Sequence, residues 1–284
     1  MAPQQRLAHL RWALAGGGRA SAAVPAAAAE EEPRFVTLDN GGLRVSVRLM
    51  GGGINSVTPS GSEDKNPLTA GAGHFICCDR WGPASRAEQA NGMTWHGEAS
   101  RSLWEVASAS ATEAELTVAL PMAGLTVTRR LTLLGDQPMV LVEEGITNTN
   151  PLGRVWNVVQ HPTLGPPFLD WDTVVDSNAT TGFAQAPRVA PGEDNVQLPV
   201  SAADRQYFTF PETTNQAGTA TQLRTMEGAQ EDDVASYIIP DGVSHGWCTA
   251  TSAKDGLIFG YVWPTEDYPW LSLYRSVVDG KVAA

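Results

Sequence analysis

Only three cysteines occur in the 284 residues, Cys77, Cys78 and Cys248, and their spacing is not that of a metal-ligand set. Adjacent cysteines rarely bond to each other, so the odd count reads as small buried hydrophobes in a reducing compartment rather than a disulfide framework. Long basic tracts are missing too. Nineteen Lys and Arg stand against 31 Asp and Glu, a formal net charge of −12, which disfavours nucleic acid and anionic membrane surfaces as partners. No apolar run reaches the ~18–20 residues that a membrane-spanning helix requires. Helical periodicity is nearly absent as well. The 28 glycines and 19 prolines recur too often for long helices, since each interior Gly or Pro costs a helix about 1 or 3 kcal/mol.

The first thirty residues differ from the rest. Met1 to Ala29 carries Arg6, Arg11 and Arg19 but no acid, with Leu7, Leu10, Trp12 and Leu14 ahead of an alanine-rich stretch. Positive charge with weak amphipathicity suits a targeting peptide, although Arg11 interrupts the apolar segment a secretory signal needs. Residues 1–33 are therefore expected to form a disordered or targeting-like leader outside the fold. The expected compartment is the cytoplasm, with secretion or the periplasm as the alternative if the leader acts as a signal.

From Arg34 onward the pattern is that of β-structure. Leu43, Val45, Val47 and Leu49 alternate with Arg44, Ser46 and Arg48, the period of a half-buried strand. Leu116–Leu120 and Leu125–Thr128 flank Pro121-Met-Ala-Gly124 and predict a hairpin with a four-residue turn. Further strands are expected at Val140–Ile146, Val155–Val159, Val234–Ile239, Trp247–Thr251, Leu257–Trp263 and Trp270–Tyr274. Many short strands separated by turns imply an all-β sandwich, with residues 34–284 as a single domain. Gly71–Ser100 and Pro162–Gln230 lack clear periodicity and are expected to be site-forming loops.

The first of these loops holds the densest group of chemistry-bearing residues. It contains Cys78-Asp-Arg-Trp-Gly82 and then Asn91-Gly-Met-Thr-Trp-His-Gly-Glu-Ala99. Arg80 can offer a bidentate fork to hydroxyls or a carboxylate, and Trp81 and Trp95 offer flat apolar faces. Aromatic faces with a few converging polar groups suit a sugar ring, whose C–H face is apolar and whose rim is hydroxylated. The second group is Gln160-His-Pro162, where His161 ends an apolar strand and is placed to act as a proton donor near neutral pH. Taken singly, His96 and His161 could each be no more than a hydrogen-bonded structural histidine.

Together, Cys78-Asp-Arg-Trp-Gly82, Trp95-His-Gly-Glu98, Gln160-His-Pro162 and Asp267-Tyr-Pro-Trp-Leu271 resemble the aldose 1-epimerase (galactose mutarotase-like) superfamily. They are closest to a less-characterised branch of it, and the resemblance runs from about Phe35 to the C-terminus. It implies a galactose mutarotase-like antiparallel β-supersandwich, a monosaccharide as partner, and interconversion of sugar anomers without a cofactor. It further implies His161 as the acid that protonates the ring oxygen, His96 as the residue that orients the sugar, and Arg80 as a ligand of its hydroxyls. Trp95 and Trp270 are candidate stacking faces, and Asp232 and Asp233 candidate hydroxyl-binding acids. The resemblance calls for a base, a glutamate on a strand beyond Tyr268-Pro-Trp-Leu271, and no residue here matches it. The chain stops at Lys281-Val-Ala-Ala284, about where that strand should begin. Two explanations compete: a C-terminally truncated sequence, or a sandwich that binds sugars without turning them over. A hexose-6-phosphate substrate would need a cationic pocket, which the net charge makes the weaker variant.

Overall fold

The alternation between Leu43 and Arg48 is realised in the structure: Leu43, Val45 and Val47 are buried while Arg44 is exposed. The computed structural model describes residues 34–69, 72–184, 207–214, 219–229, 233–278 and 281–284. The expected leader and Asp232 lie outside the described residues. The described strands begin with β1 (Phe35–Asp39), β2 (Leu43–Arg48), β3 (Gly53–Pro59) and β4 (His74–Cys78). A five-residue helix α1 (Arg86–Ala90) and a 3-10 turn at Ala99–Arg101 follow. Next come β5 (Glu105–Ala109), β6 (Glu113–Leu120), β7 (Leu125–Leu133), β8 (Val140–Asn148) and β9 (Val158–Pro162). The second half supplies β10 (Val174–Ser177), β11 (Thr181–Ala184), β12 (Tyr207–Thr209), β13 (Glu212–Thr214) and β14 (Ala220–Gln222). It ends with β15 (Asp233–Ile238), β16 (His245–Ser252), β17 (Leu257–Pro264), β18 (Trp270–Val278) and β19 (Lys281–Ala283).

Two sheets enclose the main core. One has the order β1-β2-β3-β4-β9 and the other β5-β6-β7-β8, all paired antiparallel. Leu38, Val45, Val47, Ile54 and Ile76 from the first meet Leu116, Val118, Leu120, Leu125, Val127 and Leu131 from the second. Each such side chain contributes about 1.5–3 kcal/mol on burial, before the entropy of ordering is subtracted. A second five-stranded sheet, β12-β11-β15-β18-β19, builds a smaller core around Ala235, Tyr237 and Ile239. The predicted hairpin is present, with Leu120 facing Leu125 across the turn.

The loops expected at Gly71–Ser100 and Pro162–Gln230 contain strands. β4 was hidden because it sits between β3 and β9 and is covered on both faces, so His74, Ile76, Cys77 and Cys78 are all buried and no alternation shows. The segment expected as a strand at Val155–Val159 is shifted toward the C-terminus. It runs through His161 to Pro162, which β9 tolerates because it is the edge of its sheet and Pro162 has no ladder N–H to lose.

One residue breaks the inward row of β7. Arg129 takes a core position and is fully buried. Its Nε donates to Glu144 Oε1 on β8 at 2.8 Å, Nη1 donates to Gly52 O at 2.6 Å, and Nη2 reaches Gln160 Oε1 at 3.3 Å. The Gln160 amide in turn donates to Glu144 and to the Tyr268 hydroxyl. Gln160 Oε1 already accepts from Arg129, so His74 Nε2, 2.9 Å away, carries the proton and donates to it. Burial, reinforced by the Arg129 charge, pushes His74 down to about 3, so this imidazole is neutral. The node ties β4, β7, β8 and β9 together on the core face of the first sheet.

Candidate functional site

Side chains alternate across a strand, so the neighbours of the core residues on β2, β3, β4 and β9 point the other way. Arg48, Asn55, Phe75 and His161 therefore share the outer face of the first sheet, with Phe75 directly paired to His161. The segment after β4 closes over that face and brings in Trp95, His96, Ser100 and Arg101. Together with Thr163 these residues line a cavity of about 360 Å3, the scale of a small-ligand pocket.

The motif that drew attention in the sequence is chiefly the scaffold of this wall. Asp79 adopts a left-handed backbone, φ 65°, and its carboxylate pairs with Arg154 at 2.6 Å. Arg80 donates through Nε to Pro83 O at 2.6 Å and lies 3.5 Å from Glu88, whose carboxylate completes a capping box with Ser85 at the start of α1. Glu98 is buried, and its carboxylate accepts the backbone N–H groups of Met122 and Ala123 in the β6–β7 turn. Gly97, φ 82°, lies against the Cys78 backbone, where an added Cβ would overlap the Cys78 carbonyl. These contacts hold His96 itself in a left-handed conformation, φ 63°, which a non-glycine residue keeps only when its surroundings enforce it.

The two histidines meet at the cavity. Their ring centroids are 4.5 Å apart at 71°, and His161 stacks on Phe75 at 4.6 Å and 13°. Trp95 stands edge-on to His96 at 5.4 Å and is half exposed to the cavity. The His96 backbone N–H donates to Gly82 O at 3.0 Å, and the Gly82 N–H donates back to His96 Nδ1 at 3.1 Å. That second bond requires a lone pair on Nδ1, so Nε2 carries the proton and His96 is a donor there. Burial pushes His96 down to about 4, with the neighbouring His161 and Arg101 acting in the same direction. Burial lowers His161 as well, partly opposed by the bond to its own backbone carbonyl. Both rings are neutral near pH 7.

Cys77 projects from β4 onto the same face, its Sγ 3.3 Å from His96 Nδ1. One donor atom each from Cys77, His96 and His161 lies within 4.8 Å of the others, a set brought together from three segments that spacing in the sequence does not reveal. Thiolate and imidazole suit zinc-like metals. The His96 nitrogen beside the thiol is already engaged by Gly82, however, and burial with the adjacent Cys78 raises the Cys77 thiol far above its ordinary value. Metal would have to displace both that hydrogen bond and a tightly held proton. The donor set fits a hydrogen-bonded thiol–imidazole cluster better than a metal centre.

The structure does not bring the other expected residues to this cavity. Arg80 is drawn away to Pro83 and Glu88. Asp233 is buried at the start of β15 beside Arg275, 3.3 Å away, in the second five-stranded sheet. Trp270 lies in that sheet too, exposed on β18 and edge-on to Phe183. Arg48, Asn55, Phe75, Arg101 and Thr163 were not foreseen. Arg48 had been read only as a polar member of an alternating strand, and that alternation already put it on the face opposite the core.

No protein-family model matches the sequence, and no curated protein matches it either. Solved structures do match the fold. A galactose mutarotase related enzyme from Lactobacillus acidophilus superposes with a TM-score of 0.62 at 12% identity, over 88% of this chain and 84% of that one. The chain has the galactose mutarotase fold. A galactose mutarotase-like protein from Lactobacillus casei gives 0.52 at 15% identity, over 88% and 86% of the two chains. A provisionally assigned aldose 1-epimerase from Klebsiella pneumoniae gives 0.54 at 13% identity, over 86% and 67%. The expected all-β supersandwich is therefore the architecture present. On this mutarotase-type sandwich the cavity opens on the outer face of the β1-β2-β3-β4-β9 sheet, and among its described lining residues there is no Asp or Glu.

Proposed function

We propose that this protein binds an aldose in the cavity between Trp95, His96 and His161 and interconverts its anomers by opening the ring. The observation that carries this reading is the meeting of two neutral histidines, 4.5 Å apart, beside aromatic faces in a cavity sized for a monosaccharide. Trp95 would cover the C–H face of the ring, and Asn55, Ser100 and Thr163 would meet its hydroxyls. His96, a donor at Nε2, would hold one sugar oxygen. His161, as a neutral imidazole, would take the C1 hydroxyl proton and, as the imidazolium so formed, deliver a proton to the ring oxygen as the C1–O bond of the ring breaks, so that one proton enters and one leaves. The mutarotase fold of the neighbours supports the assignment at the level of architecture.

A second reading, sugar binding without turnover, is favoured by one specific feature: the described lining supplies no carboxylate to serve as base. NMR saturation transfer between the anomers of glucose and galactose, with tryptophan fluorescence in parallel, separates the two. Enzyme-dependent exchange that His161→Ala removes supports the epimerase. A fluorescence change without exchange leaves the binder, and neither signal with any aldose overturns both.

A further inference from the structure

One motif of the sequence has no place at the cavity. Asp267-Tyr-Pro-Trp-Leu271 leads from β17 into β18, and none of its residues is among the described lining. Its Tyr268 instead reaches the node behind the site, where the hydroxyl accepts from the Gln160 amide at 2.9 Å. We propose that Tyr268 is a positioning residue for His161 and acts through Gln160, which precedes the histidine on β9. This rests on the aldose reading above, in which His161 moves the proton, and names a further residue on which that step depends.

His161 is weakly held by its own strand. Among the described residues β9 is an edge strand laddered to β4 on one side, and Pro162, next to the histidine, has no N–H. Yet the ring must meet two sugar oxygens in turn, the C1 hydroxyl and the ring oxygen, and a small displacement costs such a proton transfer heavily. Side chains alternate along a strand, so Gln160 faces the core as His161 faces the cavity. There Gln160 spends its whole hydrogen-bonding capacity. Its Oε1 accepts from His74 Nε2 at 2.9 Å and from Arg129 Nη2 at 3.3 Å, while Nε2 donates to Glu144 and to the Tyr268 hydroxyl. The first three partners stand on β4, β7 and β8, and Tyr268 adds a strut from the β17–β18 connection. Tyr268 is itself secured. Its N–H donates to Pro264 O at 3.2 Å, and its carbonyl accepts from Trp263 Nε1 at 2.8 Å. An amide with all its partners has one orientation. Without the Tyr268 hydroxyl one N–H of Gln160 is released, the amide can turn away from the other partners, and β9 carries His161 with it.

The experiment compares the full chain with Tyr268→Phe, which keeps the ring and removes only the hydroxyl, with Gln160→Met, and with the double variant. Anomer exchange of glucose and galactose is followed by NMR across sugar concentration, and the imidazole resonances are recorded without sugar. We expect Tyr268→Phe to lower kcat about 5–20-fold with KM changed less than about twofold. It should also shift or broaden the His161 ring resonances while His245 stays fixed. Because Tyr268 acts through Gln160, the double variant should be no slower than Gln160→Met. A kcat within about twofold of the unaltered chain overturns the proposal, even where the melting temperature falls, since that marks a structural bond alone. So does a lower kcat with the His161 resonances unmoved, or losses that multiply in the double variant. Should Gln160→Met not fold, kcat and the His161 resonances of Tyr268→Phe decide. Absence of exchange in the unaltered chain counts against the epimerase reading instead, and unmoved His161 resonances in Tyr268→Phe would then still overturn the positioning role.

Discussion

Replacing Arg129 with Met tests the buried node behind the site. The Arg129 side chain is fully buried and its Glu144 partner is 9% exposed. Arg129→Met leaves that carboxylate without its cation and removes donors from Gly52 O, His74 O and Gln160 Oε1. Breaking one half of a buried ion pair costs about 3–5 kcal/mol, because the remaining charge stays desolvated. For a domain of this size each kcal/mol moves Tm by roughly 2–4 °C, so the variant should melt about 6–20 °C lower. The double variant Arg129→Met with Glu144→Leu removes the stranded charge and should regain much of the loss. Thermal unfolding by circular dichroism at pH 7 measures all three proteins. A fall of less than about 3 °C in the single variant would refute the reasoning. So would a double variant no more stable than Arg129→Met.

Other consequences can be checked in the same preparations. Gly97→Ala should displace the His96 segment, because its Cβ would overlap the Cys78 carbonyl; sugar-dependent tryptophan fluorescence should be lost with most of the fold retained. Glu98→Ala should strand the Met122 and Ala123 N–H groups and lower stability by about 1–3 kcal/mol in urea titrations, with a change under 0.5 kcal/mol contradicting its role as a turn latch. His74 and His96 lie at about 3 and about 4 in the fold, against 6.5 for the ordinary side chain. Between those values the unfolded chain binds more protons, so their contribution is complete above about pH 6.5. It is lost as pH falls through that window, at up to ~1.4 kcal/mol per pH unit for each histidine. Urea midpoints measured from pH 7 to pH 4 should fall accordingly, and His74→Gln should flatten the curve.

Much of the fold was legible because several strands turn one face inward and leave the other wet. The hairpin at Pro121–Gly124 and the strands around Leu43, Val140 and Leu257 follow that rule and lie where the alternation put them. β4 escaped because a strand with neighbours on both sides and cover on both faces shows no period. At the site, the order of the motifs was enough to pick out His96, Trp95 and His161, which the fold does bring together. It could not say which motif members are scaffold. Asp79, Arg80 and Glu98 carry the same polar groups as ligand-binding residues, yet they are engaged by Arg154, Pro83 and the β6–β7 turn. Arg48 and Arg101 were overlooked for the opposite reason. They belong to no motif, and only the closing of the segment over the sheet sets them around one cavity.

The central claim, that the cavity of His96 and His161 is the sugar site, is tested most directly by imidazole 15N NMR of the five histidines at pH 7 as sugar is added. Glucose, glucose 6-phosphate and glucuronate are the probes, and His→Gln variants assign the resonances. The account predicts that His96 and His161 begin as neutral rings, His96 with its proton on Nε2, and that the resonances of these two move together on titration while His245 stays fixed. Saturating sugar that leaves both unmoved, or that shifts His245 instead, would contradict it.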